Sequence, residues 1–179
     1  VEVAREIFAL AVGKHGLAPQ DLLIDALTFT LGEGDPSLES AAAETLAAIP
    51  RIKAELPGVL TSLGVSNCSF GLPPGARPFL NSVFLHEAIR AGLDAAIVDA
   101  GSILPVARIA AEDRRACEDL VFTRPREDGT KPLAAFLAHF GARAKEDVAK
   151  GDERRRESPE DALAGRVLDG DRTWSAPAP

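Results

Sequence analysis

Three apolar runs of this chain each end in a short polar side chain: Leu22-Leu23-Ile24-Asp25, the run from Val59 to Val65 that leads into Ser66-Asn67, and Ala95-Ala96-Ile97-Val98-Asp99. Each run reads as a strand. The carboxyl end of a strand is where α/β sheets, open or closed, gather their ligands. A carboxylate at Asp25 can accept paired N–H donors from a flat heterocycle such as an aminopyrimidinone ring. Asn67 offers a donor and an acceptor without charge, which is useful beside a nitrogen that changes protonation. An amide buried there without a partner is costly, so it asks for one. Of the two, Asn67 is the stronger candidate.

Each of these residues also has a plainer use. Asp25 can cap the loop that follows it, and Asn67 can close an Asx turn. Asp99 is expected to act as a loop cap. Arg77, after Leu72-Pro73-Pro74-Gly75-Ala76, either stays solvated or reaches an anionic tail of a ligand. Gly32-Glu33-Gly34 is too little for a phosphate-binding motif. Gly64-Val65-Ser66-Asn67-Cys68 approaches a nucleophile elbow but lacks its final glycine. His15, His86 and His139 supply no evident base, so a serine hydrolase is not expected. Cys68 reads as a small packing residue.

The elements that must position these groups follow from periodicity. Val1, Ala4, Ile7, Phe8, Ala11 and Val12 recur at helical spacing up to Gly13 or Gly16. A short strand then ends at Asp25. Asp35-Pro36 predicts a helix start, with Leu38, Ala42, Thr45, Leu46, Ile49 and Ile52 on its apolar face, and Pro50 is expected to bend or shorten it. A central strand spans 59–65. Pro78 opens a helix with Phe79, Val83, Phe84, Ala88 and Ile89 as its stripe and Gly92 as its C-terminal cap. A third strand covers 94–99, and helices follow at 112–122 and 132–140.

Strands that alternate with helices in this way are parallel, with crossover helices on a face of the sheet. Asp25, Asn67 and Asp99 recur at spacings of 42 and 32 residues, close to the roughly 31 residues per unit of an eight-fold barrel. The expected fold is therefore α/β, a partial (β/α)8 barrel of about three strand–helix units. Three strands cannot close it and would leave its inner face apolar and wet. The absence of methionine and the start inside a helical pattern give the expectation of a piece of a longer protein. A charged stretch around Arg154-Arg155-Arg156 reads as a linker over 142–157, followed by a capping-box start, Ser158-Pro159-Glu160-Asp161, of a further helical unit.

A net charge of −7 argues against a nucleic-acid partner, which would want a basic face. Two cysteines, far apart, make neither a disulfide framework nor a metal cluster, and a reducing cytoplasm is the simpler setting. No apolar run approaches the roughly 20 residues of a membrane helix.

Gly64-Val65-Ser66-Asn67 with Ser69-Phe70-Gly71, then Asn81-Ser82-Val83-Phe84-Leu85-His86-Glu87-Ala88 and Gly92-Leu93-Asp94-Ala95-Ala96-Ile97-Val98, resembles the pterin-binding domains of the cobalamin-dependent methionine synthase family. The resemblance keeps order and spacing over most of residues 1–141. It implies a barrel that holds 5-methyltetrahydrofolate, with this chain carrying strands six to eight. Asp25 matches the family's pterin-contacting Asp, although Asp25-Ala26-Leu27 lacks the usual central proline. Asn67 matches the Asn placed near N5 of the folate, which makes it the implied catalytic residue. Arg77 is a looser match to an Arg that contacts folate.

The implied reaction transfers the N5 methyl group to cob(I)alamin during methionine synthesis. Cobalamin would sit on a downstream domain of the same polypeptide, with its helical cap beginning at 158–179. Zinc would belong to an N-terminal domain outside this chain, and the chain alone is expected to be inactive. Two alternatives stay open: a methyltetrahydrofolate–corrinoid protein methyltransferase, and a non-catalytic pterin-binding or interaction module.

Overall fold

The computed structural model describes residues 1–141. The expected linker at 142–157 and the cap helix at 158–179 lie outside the described residues.

Helix α1 (Glu2–Phe8) loosens into a wider π-helical stretch, Ala9–Lys14, and ends at the left-handed Gly16. Strand β1 (Leu23–Asp25) follows, then α2 (Ala41–Glu55), β2 (Leu60–Gly64), α3 (Arg77–Ala91), β3 (Ala95–Ile97) and α4 (Ala111–Val121). A last helix, α5, runs over 132–141. The three strands form one parallel sheet in the order β1-β2-β3. Asp25 is level with Ser62, Ser62 with Ala95, and Gly64 with Ile97.

Successive strand residues point to opposite faces, and the two faces of this sheet differ sharply. Leu63 is buried on the outer face with Leu46, Ile49, Leu80, Val83 and Phe84 of α2 and α3. Leu22 and Ile24 pack outward against Ala4, Ile52, Leu56 and Val59. On the inner face Leu23 is 54% exposed and Ile97 72%. The sheet thus buries one face and leaves apolar side chains open on the other, as expected for three strands. Rings from α3 and α5 close the outer layer, with Phe136 and Phe140 centroids 4.6 Å apart and Phe79 5.3 Å from Phe140.

At the amino-terminal edge, Asp94 ties β3 to its neighbours. Lys53 Nζ donates to its two carboxylate oxygens at 2.6 and 2.7 Å, and Thr61 donates from its backbone N–H at 2.8 Å and its hydroxyl at 3.0 Å. Helix α3 stops as expected at Gly92, which has φ +101°, and Leu93 N–H donates back to Ala88.

Pro50 lies inside α2, which still continues to Glu55. It lies on the exposed side of the helix, where water can satisfy the carbonyl that the missing N–H leaves free. Two other local expectations are corrected. Asp35 caps only a short 3-10 turn, Pro36–Leu38, by accepting from Ser37 N–H at 2.8 Å, and α2 proper begins at Ala41. Ile89 is 59% exposed, and Leu80 takes the buried place on α3, because the helix is covered on its flank by α4 and α5 as well as by the sheet.

Candidate functional site

Parallel pairing puts the carboxyl ends of all three strands on one rim, so Asp25, Asn67 and Asp99 share it. Asp25 faces the open side of the sheet, in register with Ser62. Its Oδ1 accepts from Leu27 N–H at 2.8 Å, closing an Asx turn. Leu27 has φ +62°, an unfavourable conformation for a branched side chain. Thr45 Oγ1 donates to the Leu27 carbonyl at 2.9 Å and holds it there. Beside it the buried Thr28 hydroxyl has no hydrogen-bond partner among the described residues. The turn that lacks the family proline is therefore strained, and held by side chains instead.

Asn67 sits in the short 3-10 turn Val65–Ser69 directly after β2. Its backbone carbonyl accepts from Phe70 N–H at 3.1 Å. Among the described residues its exposed amide makes no hydrogen bond, so the Asx-turn role is not what the side chain does here. Gly64 explains where the amide lies: a Cβ at that position would be 3.0 Å from Asn67 Nδ2. Gly64 points its missing side chain to the same face as Ser62 and Asp25. The carboxylate and the amide therefore meet on one face at one end of the sheet.

Arg77, half-buried at the start of α3, donates from Nε to Ser69 Oγ at 3.1 Å, and Ser69 donates on to the Ser66 carbonyl at 3.1 Å. The guanidinium is thus fixed against the Asn67 turn. Asp99 accepts from Gly101 N–H at 3.1 Å and acts as the expected loop cap. Cys68 is buried beside Asn81, 3.6 Å from Oδ1. Burial pushes its thiol up to about 12, against a downward pull from the Arg77 charge, so it is a packing residue rather than a thiolate.

The loops after β1 and β2 are laced together. Leu31 N–H donates to the Cys68 carbonyl at 2.9 Å, and Thr30 Oγ1 donates to the Phe70 carbonyl at 2.6 Å. Gly32 permits this approach, since a Cβ there would fall 2.5 Å from the Phe70 oxygen. Gly64 and Ser69 belong to the motif that carries the family resemblance, and Gly32 to a loop on the same rim; the sequence did not show that Gly32 meets the Phe70 carbonyl or that Ser69 meets Arg77.

Two other features lie off this rim site. An apolar hollow of about 250 Å3 is lined by Leu31, Leu38, Leu120, Leu133 and Leu137 and contains none of Asp25, Asn67 or Arg77. The convergent polar groups, not the hollow, locate the site. His139 does have a partner, Asp113, with Nε2 2.7 Å from Oδ1. The cleft it lines includes no residue of the Asn67 turn, which leaves Ser66 without that base. Among the described residues no group of three or more His, Cys, Asp or Glu is placed to hold a metal, and no helix is long and apolar enough to cross a membrane.

The chain matches the model of the pterin binding enzyme family over residues 1–99 and belongs to that family. It is also 43% identical over 176 residues to methionine synthase of Mycobacterium leprae, and 43% identical over 179 residues to methionine synthase of Mycobacterium tuberculosis. Each alignment covers 96% of this chain but 14% of the relative, so the chain spans about one seventh of their length.

Proposed function

We propose that these residues are the last three strand–helix units of a (β/α)8 barrel that binds 5-methyltetrahydrofolate and passes its N5 methyl group to cob(I)alamin, as a step in methionine synthesis. In this reading residues 1–141 complete the folate barrel, 142–157 form a linker, and 158–179 begin the cap of a cobalamin domain on the same polypeptide. Zinc belongs to a separate N-terminal domain. The observation that carries the reading is the convergence of Asp25 and Asn67 on one face at the carboxyl end of neighbouring parallel strands. Family membership and the two methionine synthase relatives support it.

Asp25 accepts N–H groups from the edge of the pterin ring and holds the ring in line, which is positioning rather than proton transfer. Arg77, braced by Ser69, takes the anionic glutamate end of the folate. When the methyl group leaves, the C–N5 bonding pair stays on nitrogen. That nitrogen must carry a proton or a strong hydrogen bond near the transition state, because an amide anion departs poorly. Asn67 meets the change without charge: its amide rotates to present oxygen to N5–H or nitrogen to the N5 lone pair. The unpaired, exposed amide has the freedom to do so. Cobalamin supplies the cobalt(I) nucleophile that accepts the methyl group.

The test is N67A in the complete polypeptide, followed by the absorbance change of cob(I)alamin on methylation. The expected loss in kcat is about 100-fold, with folate affinity changed only a few-fold. Methyl transfer at the unsubstituted rate would remove Asn67 from the mechanism.

A further inference from the structure

Ser62 is out of place in its strand. It lies in the middle of the central strand, on the inner face, with Asp25 level with it on one side and Ala95 on the other. Barrel interiors are filled by layers of bulky branched side chains, and serine is a poorer strand residue than the valine or isoleucine such a position would take. Ser62 is only 8% exposed, yet among the described residues its hydroxyl has no hydrogen-bond partner. Its neighbour Thr61, on the outer face, instead donates to Asp94 at 3.0 Å. The buried hydroxyl without a partner is that of Thr28; the Ser62 hydroxyl stays open to the inner face, and a small side chain at this level keeps space open directly beside the Asp25 carboxylate.

We propose that Ser62 is a further ligand-binding residue, one that hydrogen-bonds the same flat heterocycle that Asp25 grips. The proposal rests on the pterin-binding reading above. Adjacent strands are about 4.8 Å apart, so the Asp25 and Ser62 side chains rise side by side from one level of the sheet. A ring edge that offers paired N–H donors to a carboxylate carries an acceptor, a ring carbonyl or ring nitrogen, next to that pair. A hydroxyl one strand away is placed to donate to it. Gly64, two residues on with no side chain, leaves the way clear between this hydroxyl and Asn67 above it. Ser62 thus forms the floor of a site whose side is Asp25 and whose upper edge is Asn67.

The test uses the complete polypeptide, with 5-methyltetrahydrofolate as the titrant in calorimetry and thermal unfolding without ligand. S62A is expected to weaken binding roughly five-fold, leave kcat at saturating folate within two-fold, and leave the thermal midpoint unchanged, because the hydroxyl it removes makes no hydrogen bond within the fold. The double variant D25N/S62A should lose less than the product of the two single losses, since both groups hold one ring. Binding by S62A equal to that of the unsubstituted protein, with D25N weakened, overturns the role of Ser62 and leaves the pterin reading standing. A lowered midpoint or failure to fold in S62A shows a structural hydroxyl and also overturns it. No binding by the unsubstituted protein overturns both readings together.

Discussion

Asn67 Nδ2 lies 3.0 Å from the point at which a Cβ on Gly64 would begin. The amide rests in the space that glycine leaves, and that space opens on the face of the sheet shared by Asp25. The backbone of Gly64, at φ −80° and ψ 80°, does not demand glycine; the neighbouring amide does. G64A should therefore fold but displace Asn67. A displacement of about 1 Å costs up to 100-fold in rate, so a 10- to 100-fold loss in kcat is expected, with the thermal midpoint little changed. Steady-state kinetics beside an unfolding scan checks this, and wild-type turnover would show that the amide is not held by Gly64.

Asp25 spends one carboxylate oxygen on Leu27 N–H, and in the proposed function the other meets the ligand. In D25N the side chain can still accept that backbone bond through its amide oxygen, but it presents an amide in place of charge. Hydrogen bonds to charged groups contribute about 1.5–3 kcal/mol. D25N should thus raise the dissociation constant for 5-methyltetrahydrofolate roughly 10- to 100-fold while leaving the fold intact. Calorimetric titration measures it directly.

Gly32 sits against the Phe70 carbonyl, where a Cβ would approach to 2.5 Å, and the contact is with backbone, which cannot rotate away. G32A must push the two loops apart and break the Leu31–Cys68 and Thr30–Phe70 bonds that lace them. A loss of about 1–3 kcal/mol in stability is expected, together with weaker folate binding, because the loops carry Asp25 and Asn67. Denaturant unfolding of G32A against the parent would reveal the difference, and equal midpoints would disprove the close approach.

Asp94 is held below its ordinary value of 3.8, chiefly by its hydrogen bond to Lys53 and then by those from Thr61. A carboxylate depressed in the folded state stabilises the protein above its unfolded value, and that contribution disappears as pH falls through the folded value. The loss should begin below about pH 4 and grow further into acid. D94N should cost about 1 kcal/mol at pH 7, since the site is partly exposed, and should show a shallower decline in midpoint between pH 4 and pH 2. A parallel decline in both proteins would contradict this.

Cys68, pushed up to about 12, and Cys117, raised by burial and nearby carboxylates, should resist thiol reagents at pH 8 in the native chain and react at once on unfolding. Rapid labelling of Cys68 in folded protein would mean that the Asn67 turn opens readily.

The sequence alone determined the order of strands and helices, because apolar runs and helical stripes state which side of each element is buried. It also determined that Asp25 ends a strand, that Asn67 lies in the turn after one, and that Gly92 ends a helix, since these depend on nearest neighbours along the chain. It misjudged Ile89, whose outcome depends on which side of a helix meets solvent and which meets another helix. Only the tertiary structure decided that Asp25 and Asn67 share a face as well as an end, because strand register is set between elements and a slip of one residue reverses the face. The same is true of Gly32, whose neighbour, the Phe70 carbonyl, lies on another loop, and no spacing within one segment records that.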